Sequence, residues 1–236
     1  MKIKVMTYNI QSCRKYKDES VISAKFAGEV IKQYNPDIAG LNEVHGPGGE
    51  FGYQVKEIAD YAGFPYYFFA PAIKLDGSEY GNAFISKYPI IGKENIKIPD
   101  PAVKDEDVYY ETRCIAKMTV RFDKETDILA THFGLANSER ENAVKTIREI
   151  IGGIKNKYIL MGDFNCTPES VHINSLKEFL TDTAKMSNDS LHTFPSDKPE
   201  IKIDYIMTST DIETIKCGTI DAEVSDHRPF CAEIEI

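Results

Sequence analysis

Apolar residues recur along this chain in two rhythms, a near-alternation over short stretches and a helical spacing over longer ones. Residues 2–9 alternate Ile3 and Val5 with Lys2 and Lys4 and read as a strand. Residues 20–34 place Val21, Ile22, Phe26, Val30 and Ile31 on one helical face before "NPD" ends the run. "IAGLNEV" is a buried strand that runs into the glycine-rich "HGPGGEFG". The spacing then predicts a helix over 52–62, strands over 65–70, 81–86, 90–98, 113–122 and 126–133, and a charged helix over 138–155. A strand over 157–162, a short helix over 169–178 and a strand-rich end containing "IDYIM" and "FCAEIEI" complete the series. Short connections between several strands require hairpins beside the crossover helices, so mixed sheets covered by helices are expected, not one purely parallel sheet.

The strand "YILMGDFNCTP" (158–168) ends in residues that sheets avoid, Gly162, Asp163 and Asn165, with Pro168 behind them. The same happens elsewhere. "VMTYNI" presents Asn9, "GLNEV" Glu43, "ILATHFG" His132, "KIDYIM" Asp204 and "EVSDHRPF" Asp226 and His227. Taken singly, Asn9 is a common turn residue, Glu43 needs a partner or solvent, and His132 suits a core or loop. Asp204, flanked by Ile203, Tyr205 and Ile206, costs several kcal/mol, on the order of a buried charge, unless it is paired. Gly162 is expected to let the backbone approach a ligand, with Asp163 and Asn165 turned into the same cleft.

Composition narrows the reading. The 236 residues, 42% apolar and 28% charged, describe a folded globular chain, and with no linker, repeat or low-complexity tract they are expected to form one domain over 1–236. Five scattered cysteines outside any C-x-x-C spacing point to neither a disulfide framework nor a zinc site. The first residues lack the apolar core of a signal peptide and no run has the length of a membrane span, so a cytoplasmic protein, and a monomer, is expected. A net charge of −9 argues against tight non-specific binding of duplex nucleic acid. Arg14, Lys15 and Lys17 could form a basic rim or a solvated loop.

If the polar strand ends converge, they form a metal-assisted hydrolytic site. Mg²⁺, with Mn²⁺ as a possible substitute, prefers one or two carboxylates plus waters and substrate oxygens, which suits Glu43 supported by Asn9 and Asp226. A histidine held by a buried carboxylate suits proton transfer.

"TYNI", "LNEV", "YGNAFISKYPI", "ETR", "THF", "GDFN", "IDYI" and "SDH" occur in one order across nearly the whole chain. In this the chain resembles the endonuclease/exonuclease/phosphatase superfamily, which includes DNase I, exonuclease III-type repair enzymes, neutral sphingomyelinases and inositol polyphosphate 5-phosphatases. "GDFN" with a C-terminal "SDH" is the specific part of the match. The resemblance implies an α/β (α+β) fold, a DNase I-like four-layered αββα sandwich of two mixed sheets flanked by helices, with the site at one end. It implies Glu43 as principal Mg²⁺ ligand with Asn9 and Asp226 at the metal. Asp163 and Asn165 would orient water and bind the scissile phosphate, and Asp204 and His227 would form a dyad. His132 resembles the family's second histidine, present in the DNase I and sphingomyelinase branches and replaced in the repair endonucleases. The family's Gln before the metal-binding Glu is Asn42 here. Glu79 lies in a place comparable to the glutamate that pairs with that second histidine in the DNase branch. Arg113, whose guanidinium suits phosphate and carboxylate equally, and Asn82 are the candidates for substrate binding.

The expected activity is divalent-metal-dependent hydrolysis of a phosphodiester or phosphomonoester by in-line attack of an activated water. Length and charge favour a small-molecule, nucleotide or lipid head-group substrate. A nuclease acting on repair sites or single-stranded ends is the alternative within the enzymes, and a non-catalytic binding protein retaining the fold is the alternative outside them. The aromatic "GFPYYFFAPA" (63–72) is expected to be a buried strand plus turn, with a pocket lining as the competing reading.

Overall fold

The computed structural model describes residues 1–187 and 189–236. Fourteen strands and four α-helices follow in chain order: β1 (Lys2–Asn9), β2 (Arg14–Lys15), β3 (Asp18–Ile22), α1 (Ala24–Tyr34), β4 (Ile38–His45), α2 (Gln54–Ala62), β5 (Tyr66–Leu75), β6 (Ser78–Ser86), β7 (Ile90–Lys97), β8 (Cys114–Arg121), β9 (Glu125–His132), α3 (Asn137–Gly153), β10 (Lys157–Asp163), α4 (Val171–Lys177), β11 (Thr181–Asp182), β12 (Asp204–Thr208), β13 (Glu213–Thr219) and β14 (Phe230–Glu235). Two six-stranded sheets result, in the orders β13-β14-β1-β4-β6-β5 and β11-β12-β10-β9-β8-β7. Each is antiparallel except for one central parallel pair, β1 with β4 and β9 with β10.

The strand period explains the layering. Alternate residues point to opposite faces, so Val5 enters the core between the sheets while Met6 faces the helices outside. Ile128 and Ala130 likewise face the inter-sheet core while Leu129 packs under α3 and α4. The inter-sheet core draws on both sheets (Ile3, Phe84, Met118, Met161, Ile206), Ile31 and Ile58 bring α1 and α2 onto the first sheet, and Ile147 and Ile173 bring α3 and α4 onto the second. This is the expected αββα sandwich of two mixed sheets. Burial on both faces is why the central strands read as nearly unbroken apolar runs. Among the described residues no helix is long and apolar enough to cross a membrane.

Two local expectations need correction. The helix expected over 20–34 begins at Ala24, because residues 18–22 form β3 and pair with Arg14 and Lys15 in a small hairpin. Val21 and Ile22 are β-branched residues that serve a strand better than a first helical turn. The aromatic segment forms an edge strand, β5, with Tyr66 exposed and Phe68 and Phe69 leaning on the two cores, so these rings support the sheet. The basic residues of the β2–β3 hairpin are largely engaged: the Arg14 guanidinium lies 5.0 Å over the Phe51 ring and Lys17 pairs with Asp197 at 2.6 Å.

Candidate active site

Strand register brings the polar strand ends together. Asp163, the last residue of β10, lies opposite His132 of β9 on one side and Asp204 of β12 on the other. In the facing sheet, Asn9 ends β1 opposite Asn42 of β4. The carboxyl ends of both parallel pairs therefore open at the same end of the sandwich, where the strand order places ligand sites in sheets with parallel cores.

Gly162 permits part of this arrangement, for a reason other than the expected one. Its φ of 146° and its closeness to β9 are open to glycine alone, since a Cβ there would collide with the Thr131 carbonyl oxygen. It is the neighbouring strand, not a ligand, that approaches this backbone. Glu43 sits at an irregularity in the β4–β6 pairing with a φ of 59°, and Asn165 has a φ of 47°. Non-glycine residues held in the left-handed region carry a conformational cost that concentrates at functional sites. Gln11, Ser12 and Cys13 add three consecutive left-handed residues beyond Asn9, with Ile10 between, a strained turn that alternation and spacing gave no sign of.

Asn9 is the splint of the site. Its Nδ2 donates to Glu43 Oε1 at 2.9 Å and to Asp163 Oδ2 at 3.1 Å, while its Oδ1 accepts from the Gln11 N–H at 3.1 Å. This corrects the expectation of Asn9 as a metal ligand: the atom it turns to the carboxylates is an amide nitrogen, which donates and has no lone pair to give. Asp163 Oδ1 accepts from the Asn165 backbone N–H at 2.9 Å. Asp226 receives Ser225 Oγ on its carboxylate at 3.1 Å and donates its own N–H to Gln11 Oε1 at 3.1 Å, so Gln11 ties the loop before β14 to the end of β1.

The two other amides expected near the metal or substrate do structural work. Asn42 donates to Asn82 Oδ1 at 2.7 Å and to the Thr131 carbonyl at 2.9 Å, and accepts from the Asp163 N–H at 3.0 Å, bridging the two sheets beneath the site. Asn82 is 2% exposed and donates to the Cys114 carbonyl at 2.9 Å, so its hydrogen-bonding capacity is spent in the same bridge. The assignment of Asn82 to substrate binding is therefore corrected. Glu79 is corrected as well: it is exposed, next to the β5–β6 turn and opposite Lys74. His132 instead meets Arg113, whose Nη1 stands 2.9 Å from Nδ1, and Arg113 in turn pairs with Glu111 at 2.6 Å. Glu111 and the buried Tyr80, whose phenol burial and the neighbouring Glu43 hold in its neutral form, are site residues that sequence reasoning missed.

Two imidazoles flank one carboxylate oxygen. His132 Nε2 is 3.5 Å and His227 Nε2 3.6 Å from Asp163 Oδ2. His227 Nδ1 lies 2.8 Å from Asp204 Oδ2. Burial opposes a charge on His227, but Asp204, Asp163 and Asp226 outweigh it and raise its pKa to about 10. On His132 burial, Arg113 and His227 all act in the same direction and hold the pKa well below the usual histidine range. Burial pushes the Asp163 carboxyl up to about 7, with His227 pulling the other way. Burial also raises Glu43 and Asp226, and the charge of Asp226 raises Glu43 further.

The fit of a metal can be judged from these groups. Glu43 and Asp226 are two hard oxygen donors, each held above its ordinary pKa, with Asp226 adding repulsion to Glu43. A divalent cation between them would relieve that repulsion, and all-oxygen donors suit Mg²⁺ or Mn²⁺. The tightest cluster of ligating atoms is a different one, Asp163, Asp204 and His227. Its imidazole is already committed to Asp204 and holds its proton, so that cluster reads as a hydrogen-bonded dyad with Asp163 beside it.

Two mixed six-stranded sheets with helices outside and a cluster of buried acids and histidines at one end place the chain in the DNase I-like fold class. The chain matches the Endonuclease/Exonuclease/phosphatase family over residues 6–227 and is a member of it; members of this family are hydrolases of phosphoesters. No curated protein matches the sequence. Among solved structures it is similar to an endonuclease/exonuclease/phosphatase from Beutenbergia cavernae, at 22% identity and a TM-score of 0.84, covering 100% of this chain and 72% of that one. It is also similar to a mannosyl-6-phosphatase from Bacteroides thetaiotaomicron (18%, TM-score 0.78, 99% and 100% covered). A third similar structure is the catalytic domain of human nocturnin with bound sulfate (18%, TM-score 0.74, 99% and 93% covered).

Proposed function

We propose that this chain acts as a single catalytic domain that hydrolyses a phosphodiester or phosphomonoester of small-molecule, nucleotide or lipid head-group type, using Mg²⁺ or Mn²⁺. The observation that carries the reading is the hydrogen-bonded path Glu43–Asn9–Asp163, with His227–Asp204 and His132 converging on the same Asp163 oxygen that Asn9 meets.

Glu43 and Asp226 would hold the cation, which when bound supplies charge to the phosphoryl oxygens and the leaving group. The remaining work falls to the chain. Asp163, whose carboxyl burial brings to about 7, is matched to take a proton from a water that it orients near neutral pH. His227, held as an imidazolium by Asp204, gives a fixed positive donor to the charge that develops on phosphorus-bound oxygen. Asn165, His132 and Arg113 add donors from the opposite side. The net charge of −9 favours a small substrate over a nucleic-acid duplex. The mannosyl-6-phosphatase among the similar structures supports a sugar phosphate as one candidate.

A panel of phosphomonoesters, phosphodiesters, lipid head groups and oligonucleotides, assayed in EDTA, Mg²⁺ and Mn²⁺, tests this. Hydrolysis of a small phosphoester that EDTA and Glu43→Ala both abolish is the expected result. Cleavage confined to oligonucleotides would move the assignment to a nuclease, and no metal-stimulated hydrolysis on any arm would overturn the enzyme.

A further inference from the structure

We infer that Arg113 and Glu111 are positioning residues that set the tautomer of His132, placing its one proton on Nε2 and aiming that N–H at the space beside Asp163 where a phosphoryl oxygen would lie. The inference rests on the proposed phosphoesterase reading for the acceptor, not for the tautomer.

A guanidinium has donors and no acceptor. With Arg113 Nη1 at 2.9 Å, His132 Nδ1 has to be the lone-pair nitrogen, and a neutral imidazole then carries its proton on Nε2. His227 is arranged the opposite way, since Nδ1 there faces the acceptor Asp204 Oδ2 at 2.8 Å. Arg113 is itself held in place. Glu111 lies 2.6 Å from Nη1, and the Glu111 N–H is tied to Glu139 Oε1 at 2.9 Å. The other Glu139 oxygen accepts from the Ala136 N–H at the start of α3, at 3.1 Å. The orientation of His132 thus traces back to a helix end through two carboxylates and one guanidinium.

The arrangement leaves donors without acceptors. The Nε2–H of His132 finds Asp163 Oδ2 only at 3.5 Å, beyond a good hydrogen bond. On its other side stands Asn165 Nδ2 at 3.2 Å, which gives one of its two hydrogens to the Phe133 carbonyl at 2.9 Å. Of the two donors that face the ring, the charged guanidinium at Nδ1 is the stronger and the closer, and it decides which nitrogen keeps the lone pair. Arg113 Nε is buried with no partner among the described residues. Donors left without an acceptor at His132 Nε2 and Arg113 Nε call for an anionic oxygen. A carboxylate in the place of Arg113 would reverse the tautomer and turn a lone pair toward that oxygen.

Proton–nitrogen NMR of the 236-residue chain with nitrogen-labelled histidine, in EDTA and without substrate, reads the tautomer directly; His132→Gln assigns the signal by its loss. The expected spectrum has His132 protonated at Nε2 with Nδ1 as the lone-pair nitrogen. Arg113→Met should move both nitrogen shifts toward the average of the two tautomers, and Glu111→Gln should move them the same way by less, while His227 stays unchanged. A wild-type His132 protonated at Nδ1, or an Arg113→Met spectrum identical to wild type, overturns the inference. If Arg113→Met does not fold, the wild-type spectrum and Glu111→Gln still decide. Failure of every substrate in the hydrolysis panel would remove the phosphoryl acceptor and leave this tautomer standing. The wrong tautomer in an active enzyme would do the reverse.

Discussion

The two histidines of the site stand almost equally far from one oxygen, 3.5 and 3.6 Å from Asp163 Oδ2, and the protein drives them to opposite states. Both are buried to within a few per cent, so burial does not distinguish them. The neighbour of Nδ1 does. Asp204 gives His227 a partner for a positive charge, and Arg113 denies His132 one. Protonation here is a property of the second residue in each pair, and that residue lies some twenty positions away in the chain: Asp204 for His227 and Arg113 for His132. The result is a cation on one side of Asp163 and a neutral imidazole on the other.

The comparison predicts unequal losses. Removing a fixed imidazolium should cost more than removing a neutral donor, since charged hydrogen bonds are about twice as strong as neutral ones. His227→Ala is expected to lower kcat by about 10³- to 10⁴-fold and His132→Gln by about 10²-fold, within the ranges for general acid–base groups and single oxyanion donors. Steady-state rates on whichever substrate the panel identifies measure both. Equal losses would mean that the two rings do the same work and that the contrast between their partners has no catalytic meaning.

A second break removes the partner in place of the ring. Asp204→Asn leaves His227 buried without its carboxylate, and breaking a buried charged pair costs about 3–5 kcal/mol. The pH dependence identifies the cause. His227 has a folded pKa of about 10 against an ordinary 6.5, so its stabilising contribution is complete below 6.5 and fades as pH rises through 10. Denaturant melts of the EDTA-treated protein should therefore show the largest deficit for Asp204→Asn at and below neutral pH and a shrinking one in alkali. A deficit independent of pH would assign the loss to packing.

Much of this was legible in the sequence, and the portion that was not has a common physical origin. Alternation and helical spacing locate the strands and helices because burial repeats with the local backbone period. "GDFN" and "SDH" mark the site because a carboxylate at the end of an apolar strand needs a partner. What local pattern does not carry is which group, distant along the chain, a side chain will meet. Glu79 is near His132 by analogy of place, yet Arg113 occupies that position because β8 is the direct neighbour of β9. Asn82 and Asn42 look like ligand groups in sequence and prove to be the bridge between sheets. The left-handed turn at Gln11–Cys13 is held by tertiary contacts, Asp226 N–H on the Gln11 side chain and Gln54 on the Ser12 carbonyl, that lie far away in the chain.

The smallest effect concerns the carboxylate that both histidines share. Asp163 is an acid whose folded pKa, about 7, lies above its ordinary 3.8, so the native state binds the extra proton and stability falls as pH rises from 3.8 to 7. Below that window the group is neutral in both states and costs nothing; above it the full cost of an ionised, buried carboxylate is present. Asp163→Asn abolishes the titration. It also gives up the charge-assisted bonds from Asn9 and the Asn165 N–H and weakens the hold on the His227 proton. The net gain should therefore be on the order of 1 kcal/mol, a Tm change of a few degrees for a chain of this size. In EDTA, the Tm of Asp163→Asn relative to wild type is expected to become more positive between about pH 4 and about pH 8, while hydrolysis is lost throughout. A Tm difference that stays flat or runs the other way would mean that His227 already neutralises Asp163 in the folded protein. The base would then have to be sought elsewhere in the site.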